Sequence, residues 1–451
     1  MQRHSLQWFA ALVAVWVSAQ APAEVTDADR QQVYKDFRTA FDARRYTEAL
    51  PLAEKVVSLT EEQYGASDRK LANPLTNLGT VHYRMKDYAA AEKDYQRSVE
   101  ILEQTGGTTD RQLLRPLHGL GASHFAEKEY VDASVALKRA VDLSRNLDGL
   151  FNVDQLEILD PLIASYVALD LTADAEKEQQ YALRVAESAY GKSDARMLKP
   201  LDRYGRWLEQ INRYTTARLL YARALTIAET AGGRGTVLAV DPLVGIARTY
   251  RLEFVNGTEE VQPAPDPFGA NADLPVVAEG QRLNPDGERA LRLALAALDK
   301  STPVNHKKRG EVLVELGDWY FSAGAMAKGV DVYREAWKDL AAANATAVLE
   351  QPRLLAYRPP PSSSRRSHLN PDESEERYAE VKYTVTKDGR TDNVTLVGGD
   401  AAENTQKSVV SAMKKARYSP RFENGEPVDT PDVTWREKLL IRVKQQSAKT
   451  S

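Results

Sequence analysis

The 451-residue chain contains no cysteine. Disulfides, thiol nucleophiles and thiolate metal sites are thereby excluded, so stability has to come from packing. Beyond the first 23 residues there is no apolar run long enough to cross a bilayer. Neither charge sign dominates: 60 Lys+Arg face 64 Asp+Glu, a net charge of -4, with no concentrated basic stripe of the kind nucleic-acid phosphates require. Catalytic signatures are missing as well. Gly232-Gly233-Arg234-Gly235 has no strand before it and no Lys-Ser/Thr after it, so it reads as a helix-terminating loop and not as a phosphate cradle. No serine sits in a nucleophile-elbow context, and His118, His306 and His368 are isolated. With no nucleophile, metal or cofactor constellation, the expectation is a chain that is not an enzyme and carries no cofactor.

What is present begins at the amino terminus. Arg3 and His4 precede an apolar run over residues 6–17, and small residues end at Ala21-Pro22-Ala23. This is the pattern of a cleaved secretory signal at 1–23, with Glu24 as the mature start. The run of about 12 residues is short of the roughly 20 that span a bilayer; retention as an anchor is the alternative. Cleavage removes Arg3 and takes the net charge from -4 to -5. Residues 352–451 hold 18 Lys+Arg against 14 Asp+Glu, +4, which leaves -9 for residues 24–351.

Gly65, Gly107, Gly149, Gly191 and Gly233 fall at steps of 42. Prolines followed by leucine keep phase with them at Pro74, Pro116, Pro161, Pro200 and Pro242. A period near forty implies stacked supersecondary units, not one closed core. Within each unit the apolar spacing fits two amphipathic helices joined by a short turn. In the second unit Leu78, Val81 and Met85 continue the first stripe, Lys86-Asp87-Tyr88 turns the chain, and residues 89–102 form the second helix. Glycine suits the unit end because a helix often stops on a residue of positive φ. Tyr46, Tyr88, Tyr130 and Tyr214 mark the turns. This hairpin resembles the tetratricopeptide repeat, and the 42-residue spacing with Leu-Gly and Tyr-x-x-Ala-Glu is similar to kinesin light chain repeats, over about residues 30–345. The resemblance implies surfaces for partners, with an inner groove lined by the first helices. It also implies that an asparagine before the Leu-Gly pair grips a ligand backbone. Asn77 stands there, as a groove contact or as a solvated helix residue; later units depart from the pattern with Gly119, Ala164, Arg203 and Gly245, and Arg203 is the further groove candidate.

The period lapses after the helix beginning near Val240. Its partner helix waits until Asn284-Pro285-Asp286, where Asn caps and Pro takes the first position. The intervening insertion, 255–283, is rich in Pro, Gly and Asp and is either a surface flap or a partner contact. A last hairpin turns near Gly324-Ala325-Met326 and carries Tyr333, Ala336 and Trp337, making about seven hairpins. His82 and His124 occupy equivalent places in adjacent units, as a metal pair or as ordinary interhelix packing.

Residues 351–377, with Arg358-Pro359-Pro360-Pro361-Ser362-Ser363-Ser364, read as a linker stiffened by polyproline. Beyond it the period changes to two. Val381, Tyr383 and Val385 alternate with polar residues, and Lys387-Asp388-Gly389-Arg390 is a hairpin turn before a strand at 394–397. A helix follows over 401–416 with Ala402, Val409, Val410 and Met413 toward the sheet, then the turn Glu423-Asn424-Gly425-Glu426. The last strand, 434–443, shows Trp435, Leu439 and Ile441 on one face. The order strand, strand, helix, strand, with Arg417-Tyr418-Ser419-Pro420 and Asn424-Gly425-Glu426-Pro427-Val428, resembles the TonB carboxy-terminal domain over about 380–443. That resemblance implies an extended segment of an outer-membrane transporter added beside the last strand, through Trp435, Arg436, Lys438, Leu440 and Arg442. Arg436, Lys438 and Arg442 equally suit a protected edge.

The expected fold is mainly α: a tetratricopeptide-repeat superhelix of about seven helical hairpins, followed by a small α+β TonB-like domain. The expected domains are 1–23 signal, 24–350 repeat array, 351–377 linker, 378–445 TonB-like domain and 446–451 tail. The expected role is a periplasmic adaptor for protein or peptide partners in a Gram-negative cell envelope, an outer-membrane transporter among them. No nucleic acid and no transmembrane span in the mature chain are expected. The alternative is a TonB-type energy transducer anchored in the inner membrane.

Overall fold

A computed structural model describes residues 27–257, 283–360, 362–363 and 374–442. The signal expected at 1–23, nearly all of the 255–283 insertion and the tail at 446–451 lie outside the described residues. The chain divides into two units, Met1–Val185 and Ala186–Ser451, each taken by itself below.

The amino-terminal unit is built from helical hairpins: α1 (Asp27–Asp42) with α2 (Tyr46–Tyr64), α3 (Ala72–Arg84) with α4 (Tyr88–Gly106), α5 (Leu114–Ala126) with α6 (Tyr130–Asp148), and α7 (Gln155–Ala168) followed by α8 (Thr172–Tyr190), which runs across the division. The glycine ladder closes the second helices as the sequence implies. Gly65, Gly107, Gly149, Gly191 and Gly233 have φ of 95°, 76°, 85°, 83° and 85°. A Cβ added at any of them meets nothing within 4 Å. Backbone conformation, not crowding, therefore fixes glycine at these places.

Three residues past each of the first four glycines stands a second ladder. The side chains of Asp68, Asp110, Asn152 and Asp194 accept from the backbone N–H of Lys70, Gln112, Asp154 and Arg196 at 2.8, 2.9, 3.0 and 2.8 Å. Each of these bonds orders the loop that leads into the next helix, as a capping side chain does. At the hairpin turns Arg44, Lys86, Lys128, Asp170 and Asn212 adopt positive φ. Aromatic pairs staple three of the turns: Phe41 with Tyr46, Tyr83 with Tyr88, and Phe125 with Tyr130, with ring centroids 5.4–5.6 Å apart.

Glycines inside the first helices serve a different end. A Cβ on Gly79 would approach the Tyr95 ring to 3.1 Å, and one on Gly119 to 2.3 Å. Tyr95 thus occupies a slot left by glycines of two successive first helices, and burial pushes its phenol up to about 12. Tyr221, three periods on, sits in the same way against Gly205 and Gly245 in the carboxy-terminal unit.

That unit continues with α9 (Leu198–Gln210), α10 (Tyr214–Gly232), α11 (Val240–Asn256), α12 (Pro285–Asp299), α13 (His306–Ser322) and α14 (Met326–Ala342), completing seven hairpins among the described residues. Asn284 caps α12, accepting from Asp286 N–H at 2.9 Å, with Pro285 at the first position. The delayed helix still packs as the partner of α11: Val244, Ala247, Ala290, Leu291, Ala294 and Trp319 share one core.

The carboxy-terminal sheet has the order β3-β2-β7, all antiparallel, from β2 (Ser374–Val385), β3 (Thr391–Gly399) and β7 (Thr430–Arg442). Helix α15 (Glu403–Lys414) covers one face with Val409 and Met413. Ala402, expected against the sheet, is exposed at the helix start, and Ala401 is buried in its stead. The turns at Gly389 and at Asn424-Gly425 stand where expected, with positive φ.

The linker expectation for 351–377 is corrected. Arg353–Ala356 forms β1, paired with β4 (Arg417–Ser419), and β2 begins at Ser374, within the stretch read as linker. The reason lies in partners distant in sequence. Leu355 joins Phe321, Tyr333, Leu340 and Phe422 in one core, and Phe422 of β5 (Arg421–Glu423) packs edge-on to Tyr333 at 5.7 Å. Strand β5 forms a hairpin with β6 (Glu426–Val428), and Arg334 of α14 holds Glu426 at 2.8 Å. The TonB-like domain is thus seated on the last helical hairpin.

Candidate functional site

Strand β7 alternates as the period of two requires. Trp435, Glu437, Leu439 and Ile441 turn toward the core face, and Arg436 and Lys438 toward the other. Arg436 bonds Glu380 of β2 at 2.7 Å and lies 4.4 Å from the centre of the Tyr378 ring. Lys438 pairs with Glu376 at 3.0 Å. Both cations therefore make cross-strand pairs with carboxylates of β2. Leu440 is half-buried. Arg442 pairs in register with Ser374, and its side chain lies outside the described residues. Trp435 is half-buried against Tyr357, ring centroids 5.5 Å apart, and its indole N–H donates to Glu437 Oε2 at 2.8 Å.

Glu437 is the residue the sequence reading missed. It is buried, 1% exposed, on an otherwise apolar face. A carboxylate taken out of water needs donors, and it has two: the Trp435 indole and the Ser363 hydroxyl. The signal was legible, since Trp435, Glu437, Leu439 and Ile441 share one parity and the glutamate interrupts an apolar set.

The edge of β7 is also not bare. Ser363 bridges Leu439 in antiparallel fashion, and Leu440 N–H donates to Ser362 O at 2.8 Å. These two contacts lie on the side of β7 away from β2.

The repeat candidates lie in different units. Asn77, on α3, is half-buried, and its Oδ1 accepts from Arg115 of α5 at 3.2 Å. The side chain that was expected to grip a ligand is held by the next repeat. Arg203 is exposed on α9 in the carboxy-terminal unit. In the amino-terminal unit an open depression of about 510 Å³ is lined by Glu54, Val57, Ser58, Glu61, Glu62 and Leu78.

His82 and His124 each face a carboxylate. His82 Nδ1 faces Asp94 at 2.7 Å, and His124 Nδ1 faces Glu129 at 2.7 Å. Glu92, His124 and Glu129 bring one donor atom each within 4.8 Å of one another, and among the described residues they are the group that could hold a cation.

Beneath the TonB-like domain runs a chain of buried charges. Arg353 of β1 grips Asp318 of α13 with two bonds of 2.6 and 3.0 Å, and Tyr333 Oη donates to the same carboxylate at 2.5 Å. Arg251 lies 3.9 Å from Asp318 and 3.3 Å from Glu315, and Arg248 bonds Glu209 at 2.7 Å. Burial alone would push the Glu315 carboxyl up, but Arg251, Arg248 and Arg353 outweigh it and hold it below its ordinary value. Burial, reinforced by Asp318, pushes the Tyr333 phenol well up. Nothing in this network resembles an acid, base and nucleophile around a cavity; it fastens β1 to the hairpin.

Comparison with known proteins agrees with these elements. The tetratricopeptide repeat family model matches residues 38–104 and 70–146, and that of the Gram-negative bacterial TonB protein C-terminal matches residues 373–436. No curated protein matches the chain. Similar solved structures include kinesin light chain TPR-like repeats of Podosopora anserina, 14% identical over 45% of this chain and 96% of that one, TM-score 0.41. Others are the apo form of RapI, 14% identical over 70% and 99%, TM-score 0.41, and BtubC of P. vanneervenii, 15% identical over 70% and 91%, TM-score 0.36. The chain thus carries tetratricopeptide repeats followed by a TonB carboxy-terminal domain.

Proposed function

We propose that this chain is a periplasmic, non-enzymatic adaptor of a Gram-negative cell envelope. Its repeats bind protein or peptide partners, for which Asn77 is the candidate contact in the amino-terminal unit and Arg203 that in the carboxy-terminal unit, and its last strand accepts an extended segment of an envelope partner. The observation that carries the reading is the position of β7 at an end of the order β3-β2-β7, with Arg436 and Lys438 occupied on the sheet face. An end strand offers backbone N–H and C=O groups to an incoming strand. An outer-membrane transporter is the partner class that the TonB resemblance implies.

Three measurements test this. Sequencing the amino terminus of the protein recovered from cells is expected to begin at Glu24; an intact Met1 would instead support the anchored transducer. A photoreactive residue placed at Lys438, and separately at Asn77, is expected to capture an envelope protein in intact cells. Capture of none at either position would contradict the adaptor. A metal or cofactor retained in stoichiometric amount by the purified protein would contradict the non-enzymatic part.

A further inference from the structure

The end of the sheet that is proposed to accept a partner already holds a piece of this chain. Ser363 is 0% exposed and bridges Leu439, itself 0% exposed, on the side of β7 opposite β2. Leu440 N–H donates to Ser362 O at 2.8 Å, and Ser363 N–H donates to Pro360 O at 2.9 Å, which turns the segment onto the edge. The Ser363 hydroxyl reaches Glu437 Oε1, completing the shell of a carboxylate whose other oxygen takes the Trp435 indole. Tyr357, earlier in the same segment, packs on Trp435. Four contacts thus tie Tyr357, Ser362 and Ser363 to the strand that was expected to be open.

We infer that Ser362 and Ser363 are a built-in occupant of the β7 edge, and that a partner strand binds by displacing them. This rests on the strand-addition reading above. The site also states what it selects. Leu439 and the residue across from it form the pair that does not exchange backbone hydrogen bonds, where side chains come closest in an antiparallel ladder. Beside that pair lies the buried Glu437 carboxylate. An incoming segment has to be extended, antiparallel to β7, and small with a hydroxyl donor at that position. Serine or threonine fits. An apolar residue there strips Glu437 of a donor, and an acidic one sets two carboxylates together in a dry place.

The test uses the full chain and one variant that ejects the segment without touching β7. Ser363→Asp faces Glu437 with a second negative charge. Amide hydrogen exchange followed by mass spectrometry is expected to rise at least tenfold at Leu440 and to stay unchanged in the middle of β2. The double change Ser363→Asp with Glu437→Gln restores a donor and is expected to recover protection, which a general loss of stability would not. Ser363→Ala, which removes only the hydroxyl, gives the same direction in smaller measure if the charged variant misfolds. The probe is a fluorescent synthetic peptide of residues 357–363. It is expected to bind Ser363→Asp chains at least tenfold more tightly than the unaltered chain, and to lose that binding when its own serine at position 363 is replaced by valine. Unchanged exchange at Leu440 overturns the inference while leaving strand addition standing. Raised exchange without peptide binding overturns the strand-addition reading itself.

Discussion

Gly107 and Gly119 lie twelve residues apart and are glycine for opposite reasons. Around Gly107 there is open space and a φ of 76°; around Gly119 there is an ordinary helix and a tyrosine ring. Gly107→Ala is expected to cost about 1–3 kcal/mol through backbone strain alone. Gly119→Ala is expected to cost about 1–3 kcal/mol through overpacking. A double-mutant cycle with Tyr95→Leu separates them: denaturant unfolding should reveal coupling for Gly119 and none for Gly107. The buried charges allow a second prediction at this scale. Because the Glu315 carboxyl is held below its ordinary value of 4.5 in the folded chain, its contribution to stability is fully present above that value. It is lost as pH falls through the lowered folded value. Thermal unfolding across the acid range should lose less stability in Glu315→Gln than in the unaltered chain. Equal slopes would contradict the assignment. Arg353→Ala, which removes both guanidinium bonds from the buried Asp318 and leaves it the Tyr333 hydroxyl and the more distant Arg251, is expected to cost about 3 kcal/mol.

At the scale of elements, β1 and α14 bind the TonB-like domain to the repeats. Phe422→Ala would empty a place shared by Tyr333 and Trp337 and is expected to cost about 3–5 kcal/mol. The loss should appear as faster amide exchange in α14 as well as in β5; confinement to the small domain would contradict the shared core. This scale also divides what was legible in the sequence from what was not. The repeat boundaries were legible because each depends on local chemistry: a glycine that closes a helix, a turn before a tyrosine, an asparagine-proline start at α12. The aspartates at 68, 110 and 194 obeyed the same 42-residue step and could have been read with them. Glu437 was open to reading from parity. Strand β1 was not, since a stretch rich in proline and serine says nothing of Asp318, Phe422 or Tyr418, whose contacts depend on segments about 35 to 65 residues away. The site residues divide likewise: the placement of Trp435 on the core face follows from alternation, whereas the capture of Asn77 by Arg115 depends on the register of two repeats.

For the carboxy-terminal unit as a whole, the shared core and the Arg353–Asp318 pair predict one cooperative unit from α13 to β7. A fragment beginning at residue 378 lacks β1 and the start of β2, and it is expected to show no cooperative thermal transition; one beginning at His306 is expected to show it. The division of charge, -9 over residues 24–351 and +4 over 352–451, gives the two regions different electrostatic preferences for partners. What joins these features into one account is the β7 edge, held by the chain's own Ser362 and Ser363 until an extended segment replaces them. The most direct measurement is a scan of photoreactive residues along β7 at positions 436, 438 and 440 in living cells, with each adduct sequenced. Strand addition predicts that one extended partner segment is captured and that the attachment point moves along it by two residues for every two on β7. Absence of any adduct, or attachment points that do not advance in step, would contradict it.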